Sequence, residues 1–107
     1  MPATLSAAVL CLVVGIQDGD TLTARCPDAA GATTTVKVRL AEIDTPEKAQ
    51  PFGQVSKKSL SDMCFGKQAD IATHGLDRYG RSIGRVSCDG TDANAEQVRR
   101  GLAWVYD

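Results

Sequence analysis

A small β-barrel carrying two helices (an α+β fold) is what the sequence predicts, and three observations predict it. Five short segments carry strand signals, either runs of β-branched residues or apolar and polar residues in alternation. A stretch with helical spacing follows the third of them, and a second, shorter one follows the fifth. The length, 107 residues, suits a single domain over residues 1–107 with one core. Apolar residues make up 43% and charged residues 23% of the chain, which places it among globular rather than disordered sequences.

The elements follow in order. Val9 to Ile16 is rich in β-branched residues and reads as the first strand. It runs into Gln17-Asp18-Gly19-Asp20, an Asp-Gly hairpin signal, and Leu22 to Cys26 is the return strand. Pro27 to Ala32 has loop composition. Thr34 to Leu40 alternates, with Val36, Val38 and Leu40 on one face and Thr35, Lys37 and Arg39 on the other. Glu42 to Gly53 holds two prolines and reads as a loop overlapping the start of a helix. That helix is expected from Phe52 to Cys64, with Phe52, Val55, Leu60 and Met63 on its apolar face and Gly66 near its end. Gln68 to Thr73 and Ser82 to Cys88 are the last two strands, joined by a turn over Leu76 to Gly80; Asp89-Gly90 closes the second. Asn94 to Arg100 is a short helix that Asp92 caps and Gly101 ends. Trp104 is expected to pack in the core. His74, the single histidine, is expected at the surface near a strand end. Five short antiparallel strands with an interposed helix fit a Greek-key barrel of the OB type.

The formal net charge of −1 gives no overall attraction for phosphate, so any contact with nucleic acid needs locally concentrated cations. The apolar run from Leu5 to Ile16 is too short to span a bilayer. It lacks a basic start and a clean cleavage site, and so reads as a first strand rather than a signal peptide. Cys11, Cys26, Cys64 and Cys88 include no CxxC pair of the zinc-binding kind. An even number in a small domain is compatible with two disulfides and an oxidising compartment; four buried thiols is the alternative. Cys11 and Cys26 are nearly symmetric about the Asp18–Asp20 turn, so a hairpin there could place them opposite each other, which would leave Cys64 with Cys88; the sequence does not fix the pairing.

Three segments concentrate chemistry. They are Asp18-Gly19-Asp20-Thr21, Arg39 to Glu47 (with Ile43-Asp44-Thr45-Pro46-Glu47 at its end), and Asp77-Arg78-Tyr79-Gly80-Arg81. Carboxylate oxygens suit hard cations, and arginine forks suit phosphate oxygens. Each segment alone is more often structural: Asp-Gly is ordinary turn chemistry and Asp-Thr-Pro-Glu an ordinary turn or helix start. Their conjunction, in this order, is specific.

Together with Val98-Arg99-Arg100-Gly101-Leu102-Ala103, these segments make the chain similar to the staphylococcal (micrococcal, or thermo-) nuclease family, from about Leu12 to Asp107. The resemblance implies an OB-type barrel and a Ca²⁺-dependent endonuclease. Such an enzyme cuts DNA and RNA, preferring single strands, and leaves 3′-phosphate ends. It implies Asp20 and Asp44 as carboxylate ligands of Ca²⁺, with Thr45 adding its carbonyl. It implies Glu47 as general base, and Arg39 and Arg81 as stabilisers of the phosphate in the transition state. Tyr79 would contact a substrate phosphate, and Lys48 and Arg78 would add local positive potential. The chain departs from the family in ending before a further C-terminal helix, in a shorter segment after Pro46, and in Gln17 before the turn. Its cysteines, absent from the staphylococcal enzyme, suggest a secreted or periplasmic bacterial branch. The expected state is a monomer without a membrane span. A non-catalytic nucleic-acid- or protein-binding module on the same barrel is the alternative. Such modules have usually lost catalytic residues, and Asp20, Arg39, Asp44, Glu47 and Arg81 are all present here.

Overall fold

The structure, a computed structural model, describes residues 8–106. The expectations for Leu5 to Ala7 and for Asp107 lie outside them. Five long strands form the barrel: β1 (Val9–Asp18), β2 (Thr21–Pro27), β3 (Thr33–Leu40), β5 (Gln68–Leu76) and β6 (Ser82–Cys88). Three two-residue strands, β4 (Ile43–Asp44), β7 (Thr91–Asp92) and β8 (Trp104–Val105), trim it. The helices are α1 (Gly53–Cys64) and α2 (Ala93–Arg99).

β1, β2 and β3 run as an antiparallel meander, β5 pairs antiparallel with β1, and β6 with β5. Two register shifts in β1, between Val13 and Gly15 and between Ile16 and Asp18, bend it around the barrel. A parallel pairing of β3 with β6, through Val38–Ser82, Arg39–Ile83 and Leu40–Gly84, closes the ring. The result is the closed five-stranded OB-type barrel with two helices, and its closing pair is parallel where an all-antiparallel ladder was expected.

Alternation gives the barrel an inside and an outside. Val13, Leu22, Ala24, Val38, Leu40 and Val86 point inward and are essentially sealed from solvent. Lys37 and Arg39 belong to the outer face of β3. Cys11 lies across from Cys26 in the β1–β2 register, and the two form a disulfide. A second disulfide, Cys64–Cys88, ties the end of α1 to the end of β6. Closing loops of these lengths is worth about 3 kcal/mol each by restricting the unfolded chain.

Two expectations about packing fail. Phe52 and Val55 are 69% and 52% exposed, so they are not part of the inner face of α1. That face is Gly53, Ser56, Ser59, Leu60 and Met63, whose small members bring the helix close to the loops below it. Phe52 instead precedes the helix in a left-handed conformation, φ 66°. Trp104 is 53% exposed because its place is on β8, a two-residue strand paired with β4 outside the main barrel. The cap at Asp92 is as expected: its side chain accepts the Ala95 N–H at 3.1 Å. His74 is exposed, as expected.

Candidate active site

The β1–β2 turn supplies Asp18 and Asp20. Its shape depends on Gly19, since a Cβ there would lie 1.9 Å from Ser56 Oγ on α1. From α2, Gln97 Nε2 donates to Gly19 O at 2.8 Å and to Ser56 O at 3.0 Å. Both helices therefore hold this turn. Asp20 is 8% exposed; its carbonyl accepts the Leu40 N–H at 2.7 Å, and Thr21 Oγ1 donates to its Oδ1 at 3.0 Å.

At the end of β3, the Arg39 fork is nearly buried. Nη1 donates to Leu40 O at 2.9 Å and Ile43 O at 2.8 Å, and Nη2 to Asp44 Oδ1 at 2.6 Å. Nη1 also lies 3.4 Å from Asp20 Oδ2, so one guanidinium sits between two carboxylates. β4 then delivers Asp44, followed by Thr45, which is buried and whose Oγ1 has no hydrogen-bond partner among the described residues. Glu47 is exposed on the next loop. That loop is closed by the Glu47 N–H donating to Gln50 Oε1 at 2.7 Å and the Gln50 N–H to Glu47 O at 2.9 Å. It packs directly on Gly53, where a Cβ would fall 1.8 Å from Glu47 O.

The third segment is organised by Asp77. Its Oδ1 accepts the N–H groups of Tyr79 at 2.9 Å and Arg81 at 3.0 Å, and its Oδ2 accepts Arg81 Nε at 2.7 Å. Burial alone pushes the Asp77 carboxyl up, but the backbone and arginine hydrogen bonds outweigh it and leave the group more acidic than usual. Arg78 and Arg81 lie 5.0 and 5.3 Å from the centroid of the Tyr79 ring.

One cleft gathers most of the predicted residues. Asp20, Arg39, Asp44, Thr45, Glu47 and Arg81 all line it, and Asp18 and Pro46 complete the wall. Tyr79 lies outside this cleft, in a groove that adjoins it and shares Asp18, Glu47 and Arg81 with it. Lys48 and Arg78 are exposed and line neither. Two contributors escaped the sequence reading. Asp77 was quoted within a motif without a role, although its spacing of four from Arg81 is a pairing signal. Gln97 gave no signal at all, because its partner Gly19 is 78 residues away.

Among the described residues, no three His, Cys, Asp or Glu side chains converge as a metal-binding group. The oxygens nearest Arg39 are the carboxylates of Asp20 and Asp44, with Thr45 next to Asp44 and the Asp18 and Glu47 carboxylates on the same wall.

Residues 37–107 match the family model described as staphylococcal nuclease homologue. An uncharacterized endonuclease of Haemophilus influenzae is 48% identical over 96 residues, covering 90% of this chain and 52% of the relative. A micrococcal nuclease of Shigella flexneri is 37% identical over 103 residues, 88% of this chain and 56% of the relative. An uncharacterized endonuclease of Escherichia coli O157:H7 is 38% identical over 96 residues, with 89% and 60% covered. The chain thus spans about half the length of the curated relatives it matches. A family match over well over half of its residues, on a closed OB-type barrel, means that the chain belongs to the staphylococcal nuclease family.

Proposed function

We propose that this domain is a Ca²⁺-dependent endonuclease that hydrolyses phosphodiester bonds of DNA and RNA. In this reading it prefers single strands and leaves 3′-phosphate ends. One observation carries the proposal: two guanidiniums and four carboxylates, from chain segments far apart in sequence, meet at one cleft.

The donor set fits a hard cation. Asp20 and Asp44 offer carboxylate oxygens on the same side of the barrel, and beside them Thr45 has a buried hydroxyl with no partner among the described residues. Two carboxylates and a Thr45 oxygen leave several positions for water, which suits an ion that takes six to eight oxygens. Bound there, Ca²⁺ would supply positive charge beside the phosphate and hold water. Arg39 shares its fork between Asp20 and Asp44. Nη1 stays engaged with the Leu40 and Ile43 carbonyls, so when those carboxylates are engaged elsewhere it is Nη2 that becomes available to a phosphate oxygen. Arg81 is held by Asp77 through Nε, which leaves its two Nη groups for the same phosphate. Together they stabilise the charge that builds on the phosphoryl oxygens. Glu47 carries the exposed carboxylate of the set and takes the proton of the attacking water. The new P–O bond forms as the bond to the 5′ oxygen breaks. That oxygen is then protonated, and the phosphate stays on the 3′ side.

The two disulfides suit an oxidising compartment, so the domain is assigned to the periplasm or the exterior of a bacterium.

The test is digestion of heat-denatured DNA with Ca²⁺ and with chelator, using wild type and Glu47→Gln. Wild type should cut only with Ca²⁺ and leave 3′-phosphate ends. Glu47→Gln should keep Ca²⁺ binding by calorimetry and lose about 10²–10⁴-fold in turnover. An unchanged rate would remove Glu47 from the role of base, and a folded, inactive wild type would favour the binding-module alternative.

A further inference from the structure

Gln97, on α2, is fully enclosed and yet only half satisfied. Its Nε2 donates to Gly19 O at 2.8 Å and to Ser56 O at 3.0 Å, which engages both amide hydrogens. Its Oε1 has no partner among the described residues. Turning the carboxamide over would set that oxygen against two carbonyl oxygens, so the amide nitrogen has to face them. A buried acceptor left without a donor costs about 1–3 kcal/mol. An apolar chain of the same length, such as methionine, would fill the space without that cost. Packing therefore does not account for the carboxamide, and its donor does.

The donor acts on one particular peptide. Gly19 O belongs to the planar unit that links Gly19 to Asp20, so holding it sets the direction in which the chain enters Asp20. On the far side of Asp20, its own carbonyl accepts the Leu40 N–H at 2.7 Å. Asp20 is thus held through both of its flanking peptides, by α2 on one side and β3 on the other. Its Oδ2 comes to 3.4 Å from Arg39 Nη1 in consequence. α2 is itself anchored to the barrel one turn earlier. There Asn94 Nδ2 donates to Ala41 O at 3.0 Å and Gly84 O at 3.3 Å, and Asn94 Oδ1 accepts the Val86 N–H at 3.1 Å.

We propose that Gln97 is a positioning residue for Asp20, acting through the Gly19 carbonyl to set where the Asp20 carboxylate stands relative to Arg39 and Asp44. The inference rests on the proposed role of Asp20 as a ligand of Ca²⁺. Gln97 touches neither metal nor substrate in this role. Partners that orient the ligands of a metal typically account for about 10–100-fold in its affinity.

The experiment has two arms, with wild type and Gln97→Met; Gln97→Leu takes its place if the methionine variant does not fold. In the first, amide hydrogen exchange is followed by NMR in chelator. Gln97→Met should speed exchange at Asp20 and Thr21 about tenfold and leave Ile71 and Val86 unchanged. In the second, Ca²⁺ binding is measured by calorimetry and cleavage of single-stranded DNA is followed against Ca²⁺ concentration. Gln97→Met should weaken Ca²⁺ binding about tenfold and raise the half-activating Ca²⁺ concentration by the same factor. At saturating Ca²⁺, kcat and the KM for DNA should stay within about twofold of wild type, because the chemistry and the phosphate contacts belong to other residues. A role in stability alone would lower Tm and leave the affinity for Ca²⁺ where it was. Unchanged Ca²⁺ affinity in a folded variant, or unchanged exchange at Asp20 and Thr21, would overturn the proposal. If wild type binds no Ca²⁺, the metal reading fails, and the exchange arm alone decides whether Gln97 holds Asp20.

Discussion

Inside the barrel, Val13, Leu22, Val38, Leu40 and Val86 pack in a dry apolar interior, with one disulfide across β1 and β2 and another joining α1 to β6. On the outside of the same strands, the cleft consists of charged side chains held by one another: Asp20 and Asp44 by Arg39, and Arg81 by Asp77. The interior depends on burial and chain connectivity, neither of which needs a particular charge. In the cleft, geometry depends on which atom donates to which, so a change of one functional group is felt there at once. The two regions should therefore fail under different perturbations, and the tests below are ordered by the size of the expected effect.

The largest separation should come from Arg81→Lys. A lysine keeps the charge but has neither the fork nor the Nε donor that Asp77 holds. Cleavage should drop about 10²-fold, by analogy with the loss of one transition-state donor. Thermal unfolding should stay within a few degrees of wild type. Activity within a few-fold of wild type would show that two-oxygen contact is not needed.

Next in size is the removal of a disulfide. The double substitution Cys64→Ser with Cys88→Ser should cost about 3 kcal/mol of stability, measured by urea unfolding. The fraction that remains folded should cut at a rate near that of wild type. A large loss of specific activity in that fraction would mean that the staple shapes the cleft as well as the interior.

A smaller effect should appear in acid. Hydrogen bonds from Arg99 and Arg100 hold the Glu96 carboxyl down to about 2, from an ordinary value of 4.5. Asp77 is lowered too. For a group whose folded value is depressed, stability is fully present above the unfolded value and is lost as pH falls through the folded one. Wild type should therefore lose stability between about pH 4.5 and 2. Glu96→Gln, on exposed pairs that salt screens, should flatten that part of the profile slightly and leave cleavage at neutral pH alone. A profile identical to wild type would assign the acid sensitivity to Asp77 and other carboxylates.

Much of the fold was legible because local pattern determined it. The alternation in β3, the Asp-Gly turn and the Asp92 cap are each set by residues close in sequence. The Cys11–Cys26 pairing was legible for the same reason, as a hairpin turn fixes the register of its own strands. Less legible was whatever depends on distant partners. The inner face of α1 is made of Gly53, Ser56 and Ser59, which no apolar period reveals. Gly53 and Ser56 are small because the Glu47 loop and Gly19 approach them closely, and the Ser59 hydroxyl accepts from Arg100 Nη1. Trp104 looked like core by size alone, yet its backbone is needed as an edge for β4. The parallel closure of β3 on β6 is a pairing between segments, and periodicity carries no information about it. The cleft residues were named from a resemblance; the geometry adds Asp77 and Gln97, whose parts depend on contacts that the sequence does not display.

That closing pair also orders events in time. Arg39 lies on β3 and Arg81 in the β5–β6 turn just before β6, so neither the β1–β3 meander nor the β5–β6 hairpin carries both guanidiniums, and the β3–β6 ladder brings them together. Non-local pairings form slowly, because the intervening chain must be ordered before they form. On dilution from denaturant, cleavage is expected to return with the slowest folding phase rather than with the early recovery of strand signal. A chain still unfolded would thus hold all of its charged side chains and yet no site, and a cell making it would be shielded from the proposed activity until the ring closes.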